Sequence, residues 1–183
     1  SFEFNGIKFF DSGGYKLPDE LEGRIEEFVF SDTTLPHKTG RRIGRIIRSE
    51  DMTEDYVEFL VSLADEDISG LRILMDCANG AAYKTGPAVF ERLGAEITVL
   101  NNEPDGVNIN DGCGSTHIDR LCELMVQGDY DIGFAYDGDA DRVLAVSEDG
   151  HLINGDRILA ALSDDLMARN NLEKNTHDVI LMR

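Results

Sequence analysis

Four short apolar runs constrain this chain more than any other feature: "LRILMDC" (71–77), "EITVL" (96–100), "DIGFAY" (131–136) and "RVLAVS" (142–147). They are apolar on both faces, as strands buried between two layers must be. Amphipathic stretches with helical spacing separate the first three, and strands joined through helices run parallel. From Thr53 onward Tyr56, Phe59, Leu60 and Leu63 follow a helical stripe. After the loop "ANGAAY" a helix runs to about Leu93. Thr116 is positioned to cap a third helix, which carries Ile118, Leu121, Cys122 and Met125 on one face. "EDG" turns the chain, and Asp156 is expected to cap a helix bearing Ile158, Leu159, Leu162 and Leu166. The pattern predicts a three-layer α/β/α domain with a mostly parallel sheet over residues 49–172.

The two flanks lack the partners such a domain would need. Residues 1–48 read as a strand "GIKFF", a turn at Asp11-Ser12-Gly13-Gly14 and a second strand "YKL". A helix follows, with Pro18 near its start and Leu21, Ile25, Phe28 and Val29 on one face. Residues 31–50 break the periodicity and carry Arg41, Arg42, Arg45 and Arg48. They read as a junction, with a short strand around Ile43–Ile47. "DVILM" near the end predicts one more strand, so 173–183 is expected to start another domain and 1–48 to be the remnant of a preceding one.

Composition excludes several functions. With 36 acidic residues against 17 Lys and Arg, the net charge of −19 repels phosphate backbones and anionic lipid, which argues against nucleic-acid or membrane binding. No apolar run approaches the roughly 18 residues that span a bilayer, and the first residues show no charged-then-apolar pattern, so no signal segment is expected. Cys77, Cys113 and Cys122 are odd in number with no CxxC pair, which suits a reducing compartment. A cytoplasmic protein is expected.

Acidic residues are mostly scattered over the chain, but "YDGDADRV" (136–143) concentrates Asp137, Asp139 and Asp141 at alternate positions, followed by Arg142. Like charges this close repel unless a cation sits among them. Three carboxylates at the end of a buried strand offer hard oxygen ligands to Mg²⁺ or a similar ion, and Arg142 offers a planar fork to phosphate. "DGDADRVLAVSE" also matches most of an EF-hand calcium loop. However, Arg142 replaces the turn glycine and the flanks are strand-like. "GAAYKT" (80–85) lacks the spacing of a Walker loop, so Gly80 is assigned to a tight strand-to-helix turn and His117 to the start of its helix.

"NGIKFF" (5–10), "DCANGAAY" (76–83), "PDGVNINDGCGSTH" (104–117), "YDGDADR" (136–142) and "INGDRI" (153–158) together make the sequence resemble the α-D-phosphohexomutases over nearly its whole length. Within that family the Asn-Ile-Asn and Cys-Gly-Ser-Thr-His features are most similar to members acting on glucosamine phosphates. Phosphomannomutase- or phosphoglucomutase-like members are the alternative. The resemblance implies a four-domain enzyme that interconverts glucosamine 6-phosphate and glucosamine 1-phosphate through a phosphoserine and a bisphosphate intermediate. It implies that Asp137, Asp139 and Asp141 bind Mg²⁺, that Arg142 steadies phosphate, and that Lys8 lies near the reacting oxygens. It also implies that Ser1 falls three residues past the nucleophilic serine, so this chain alone is expected to be an inactive piece.

Overall fold

The computed structural model describes residues 2–4, 6–32, 37–46 and 51–170, the side chains of Asp51 and 168–170 excepted. Two compact units are resolved, Glu3–Ser49 and Glu50–Arg183, the latter also including Ser1–Phe2.

In the first unit the expected hairpin shrinks to one antiparallel bridge, Phe10 with Lys16. Two strands without a third partner or a covered face are marginal in water. The turn itself is well made: Asp11 Oδ1 accepts from the backbone N–H of Gly13 at 2.8 Å and of Tyr15 at 3.0 Å. Helix α1 spans Asp19–Phe30, with Pro18 at its N-cap and Asp19, Glu20 and Glu22 in the first turn, where negative charge suits the helix end. Its predicted apolar face is not buried: Leu21, Phe28 and Val29 are exposed, as are Ile7, Phe10 and Tyr15. Where a strand was expected around Ile43, residues 40–42 form a single 3₁₀ turn and 43–46 are not in a strand. Ile47, Arg48 and the predicted strand "DVILM" lie outside the described residues.

The second unit holds α2 (Asp51–Ser62), β1 (Arg72–Asp76), α3 (Ala82–Arg92), β2 (Glu96–Leu100), α4 (Asp119–Gln127), β3 (Ile132–Tyr136), β4 (Val143–Ser147), β5 (Leu152–Ile153) and α5 (Gly155–Asn170). The sheet order is β2-β1-β3-β4-β5. β1 pairs in parallel with both β2 and β3, while β4 runs antiparallel to β3 and β5 to β4. Only β4 therefore opposes the common direction, as the mostly parallel expectation requires.

Side-chain alternation along the central strands builds the three layers. Leu74, Ala135 and Val146 face α4 and pack with Leu121 and Met125. On the opposite face Met75 packs with Ala82, Tyr83, Phe90, Ile97, Val99 and Tyr136 beneath α3, and Phe90 stacks on Phe134 with ring centroids 5.7 Å apart. Fully burying a side chain such as Leu121 contributes roughly 1.5–3 kcal/mol.

Three helix details differ from expectation. On α2 the buried residue is Val57, with Leu60 and Val61 half-buried beside it, while Tyr56, Phe59 and Leu63 are exposed. The inward face is rotated because α2 packs on α3 rather than on the sheet. α4 starts at Asp119, not Thr116, because residues 114–116 form a separate 3₁₀ turn. Asn154, not Asp156, caps α5: its Oδ1 accepts from the Arg157 N–H at 3.1 Å.

Arg72 clamps the amino ends of β1 and β3. Its Nη2 donates to Asp131 Oδ1 at 2.7 Å, and its Nε and backbone N–H donate to Oδ2 at 3.2 and 2.8 Å. These bonds hold the Asp131 carboxyl down at about 2. A depressed carboxylate stabilises the fold above its unfolded pKa, and that stability fades as pH falls through the folded value. Asp131→Asn should therefore lower the melting temperature at pH 7, with the deficit shrinking between about pH 4 and pH 2. Thermal melts at stepped pH check this; a deficit constant with pH would contradict the clamp.

Candidate metal centre

β1, β2 and β3 run in parallel, so the loops that follow them meet at one end of the sheet, where ligands of α/β sheets gather. Backbone bonds sew these loops together. Asn110 N–H donates to Ala78 O at 3.0 Å and Ala81 N–H to Gly138 O at 2.8 Å; Asn79 N–H donates to Asn101 O.

The organising side chain is Asp76, the last residue of β1. It is buried, with Oδ1 accepting from Ala78 N–H and Oδ2 from Gly114 N–H, both at 2.9 Å. A buried carboxylate is tolerated only when its oxygens are satisfied. Asn79 adds a second tie, its Oδ1 accepting from Glu103 N–H at 3.1 Å. Gly114, at φ +70°, passes so close that an added Cβ would lie 2.5 Å from Ala78 Cβ and from Tyr136 O. Gly80 backs onto Gly138 in the same way, and the expected tight turn at Gly80 is thereby explained. The non-glycine residues with positive φ among those described are Ala78, Asn79, Asn101, Asn110 and Ala140, all in these three loops. Backbone strain of this kind costs about 1–3 kcal/mol per residue and collects at functional sites.

The acidic segment 137–142 lies on this platform between β3 and β4. Strands, not helices, flank it, which removes the calcium-hand reading. Asp137 is buried; its Oδ2 accepts from Arg142 Nε at 3.0 Å and Nη2 at 2.8 Å, and its Oδ1 from Arg142 N–H at 3.2 Å. Burial pushes the Asp137 carboxyl up, but the hydrogen bonds from Arg142 outweigh it, and the net direction is below the usual value. Asp139 and Asp141 are exposed on the solvent side.

Of the residues singled out in sequence, the structure brings Asp137, Asp141 and Arg142 together. Arg142 Nε lies 3.7 Å from Asp141 Oδ1. Among the described residues, however, no three His, Cys, Asp or Glu side chains are gathered closely enough to hold an ion. The donor chemistry, carboxylate oxygens alone, fits a hard cation such as Mg²⁺. Lys8 sits exposed in the other unit. His117 follows the 3₁₀ turn and pairs with Thr116 Oγ1 through Nδ1 at 3.1 Å. Cys77 and Cys113 are buried core thiols, pushed up by burial. Asp76 was missed as a positioning residue, although a lone acid ending an apolar strand was a usable signal.

Comparison with known proteins identifies the family. Residues 54–150 match the family model described as phosphoglucomutase/phosphomannomutase, alpha/beta/alpha domain II, and the chain belongs to that family. It is 49% identical over 176 residues to a phosphoglucosamine mutase of Acetivibrio thermocellus, covering 96% of this chain and 39% of that protein. It is 50% identical over 181 residues to the phosphoglucosamine mutase of Clostridium novyi, covering 98% and 40% respectively. A solved phosphoglucomutase/phosphomannomutase family protein from Burkholderia thailandensis matches with a TM-score of 0.57 at 32% identity, over 64% of this chain and 26% of that one. The chain spans about two fifths of the curated relatives it matches.

The platform predicts a specific sensitivity. A Cβ on Gly138 would lie 2.6 Å from Asn110 Nδ2 and 2.7 Å from Ile109 Cδ1, and overpacking of this kind costs about 1–3 kcal/mol. Gly138→Ala should destabilise by that amount in urea unfolding and speed amide exchange in 105–113. Gly23→Ala, which meets nothing within 4 Å in α1, should be neutral or slightly stabilising. Equal effects would contradict the loop packing.

Proposed function

We propose that this chain supplies the central α/β domain and metal loop of a cytoplasmic phosphohexomutase that interconverts glucosamine 6-phosphate and glucosamine 1-phosphate. The observation that carries the reading is the acidic loop at the carboxyl end of β3, set on a strained and tightly bonded platform. The names of two relatives at 49% and 50% identity support the choice of sugar. Asp137, Asp139 and Asp141 hold Mg²⁺, which when bound offsets negative charge on the transferring phosphoryl group. Arg142 grips phosphate oxygens through its planar fork, and Lys8 contributes positive charge near the reacting oxygens. The phosphoryl donor is a phosphorylated serine, a role that Ser1 does not fill, and the sugar passes through a bisphosphate. The net charge of −19 leaves the arginine fork and the metal as the local attractants for an anionic substrate.

Calorimetric titration of the chain with Mg²⁺ and separately with Ca²⁺ tests the metal loop. Weak Mg²⁺ binding with little change in circular dichroism is expected, lowered roughly tenfold in Asp139→Asn by loss of one charged ligand. Unchanged affinity in Asp139→Asn, or Ca²⁺-selective binding with a large structural change, would overturn the reading. The sugar is tested by exchanging this segment into the Acetivibrio thermocellus enzyme. Turnover of glucosamine 6-phosphate above mannose or glucose phosphates is expected, and the reverse preference would move the chain to the other branch of the family.

A further inference from the structure

The acidic loop neutralises its own buried charge. The Asp137 side chain is 5% exposed, and its carboxylate accepts three hydrogen bonds from Arg142, two from the guanidinium and one from the backbone N–H. The Arg142 side chain is 74% exposed. A buried anion is thus matched by a cation that reaches in from solvent on a flexible stem. Such an arrangement is strong while made and open to exchange, because the guanidinium gives up little packing when it leaves. It cannot leave without a replacement, since an unpartnered buried carboxylate is costly. The backbone bond from Asp137 N–H to Arg142 O at 3.2 Å closes the neck of the loop independently of either side chain.

We propose that Arg142 and a divalent cation are alternative occupants of Asp137. With its guanidinium on Asp137, Arg142 closes the loop; when Asp137 turns to a cation, Arg142 is exchanged outward and its fork becomes available to an anionic oxygen beside the loop. The proposal rests on the metal reading above and adds two properties to it. Competition from Arg142 lowers the affinity of the loop for its ion. Metal uptake and phosphate binding are coupled, because the arginine serves phosphate only once displaced, and such coupling is reciprocal.

The test is calorimetric titration of Mg²⁺ into the wild-type chain, Arg142→Gln and Arg142→Lys, with the wild-type Arg142 Nε–H followed by NMR. Arg142→Gln should bind Mg²⁺ about three- to tenfold more tightly, the scale of one partly exposed ion pair. Arg142→Lys keeps the charge but loses the two-point contact, so it should show most of the same gain. The wild-type Nε–H resonance should lose its hydrogen-bonded shift as Mg²⁺ saturates. Weaker or unchanged binding in Arg142→Gln overturns the exchange. So does a gain in Gln that is absent in Lys, which would mark a simple field effect, and so does an unmoved Nε–H signal. Asp139→Asn in the Arg142→Gln background separates the two readings. No loss there removes the metal loop itself, whereas a loss there without the Arg142 effects removes only the exchange.

Discussion

The loops at the carboxyl end of the sheet are tied together by the carboxylate of Asp76. It ends the central strand, where burial would be prohibitive for an unpaired charge, and it is satisfied by two backbone N–H groups from different loops, Ala78 and Gly114. Those bonds fix the turn after β1 against the segment after β2. Through Gly114 the segment is pressed onto the carbonyl of Tyr136, the last residue before the acidic loop. The acidic loop is therefore aimed by an acid that is not one of its members. Removing the Asp76 oxygens would loosen three loops at once rather than delete one contact.

Strain and burial divide the work at this end of the sheet. The strained backbone positions lie in the platform and the loop, while Asp139, Asp141 and Arg142 are exposed residues. A bonded base under exposed charged side chains leaves those side chains accessible from solvent while the backbone beneath them is held. Only Asp137 joins the two regimes, since its carboxylate is buried yet its partner is not.

The parts legible from sequence were those where burial acts on regularly spaced residues. The four apolar runs all became strands, and the α4 face of Leu121 and Met125 became core. Three Asp residues at alternate positions single out the segment between β3 and β4 in the sequence, and the structure buries Asp137 while leaving Asp139 and Asp141 exposed. Reading failed where tertiary context decides. The α2 stripe of Tyr56, Phe59, Leu60 and Leu63 follows helical spacing, yet Val57 is the residue that meets the core. Thr116 and Asp156 have good capping chemistry, but a 3₁₀ turn and Asn154 took those places. The hairpin of residues 7–17 was drawn from propensity alone, and propensity does not hold two strands without a covered face. Asp76 was read as part of a motif and its role stayed hidden, because a pairing with Gly114 across 38 residues leaves no periodic trace.

The strand order carries a kinetic consequence. β1 pairs with β2 at a separation of 24 residues, Arg72 with Glu96, but with β3 at 59, Ile73 with Ile132. β3 and β4 are neighbours in sequence, joined by the acidic loop itself. Local pairings close early and distant ones late, because loop closure is entropically costly before contacts repay it. The β1–α3–β2 unit and the β3–β4 hairpin are thus natural early pieces, and their docking along β1 is the slow step. On that route the three aspartates first lie on a hairpin loop still open to water. Their charges are hydrated until the platform arrives beneath them and Asp137 is sealed.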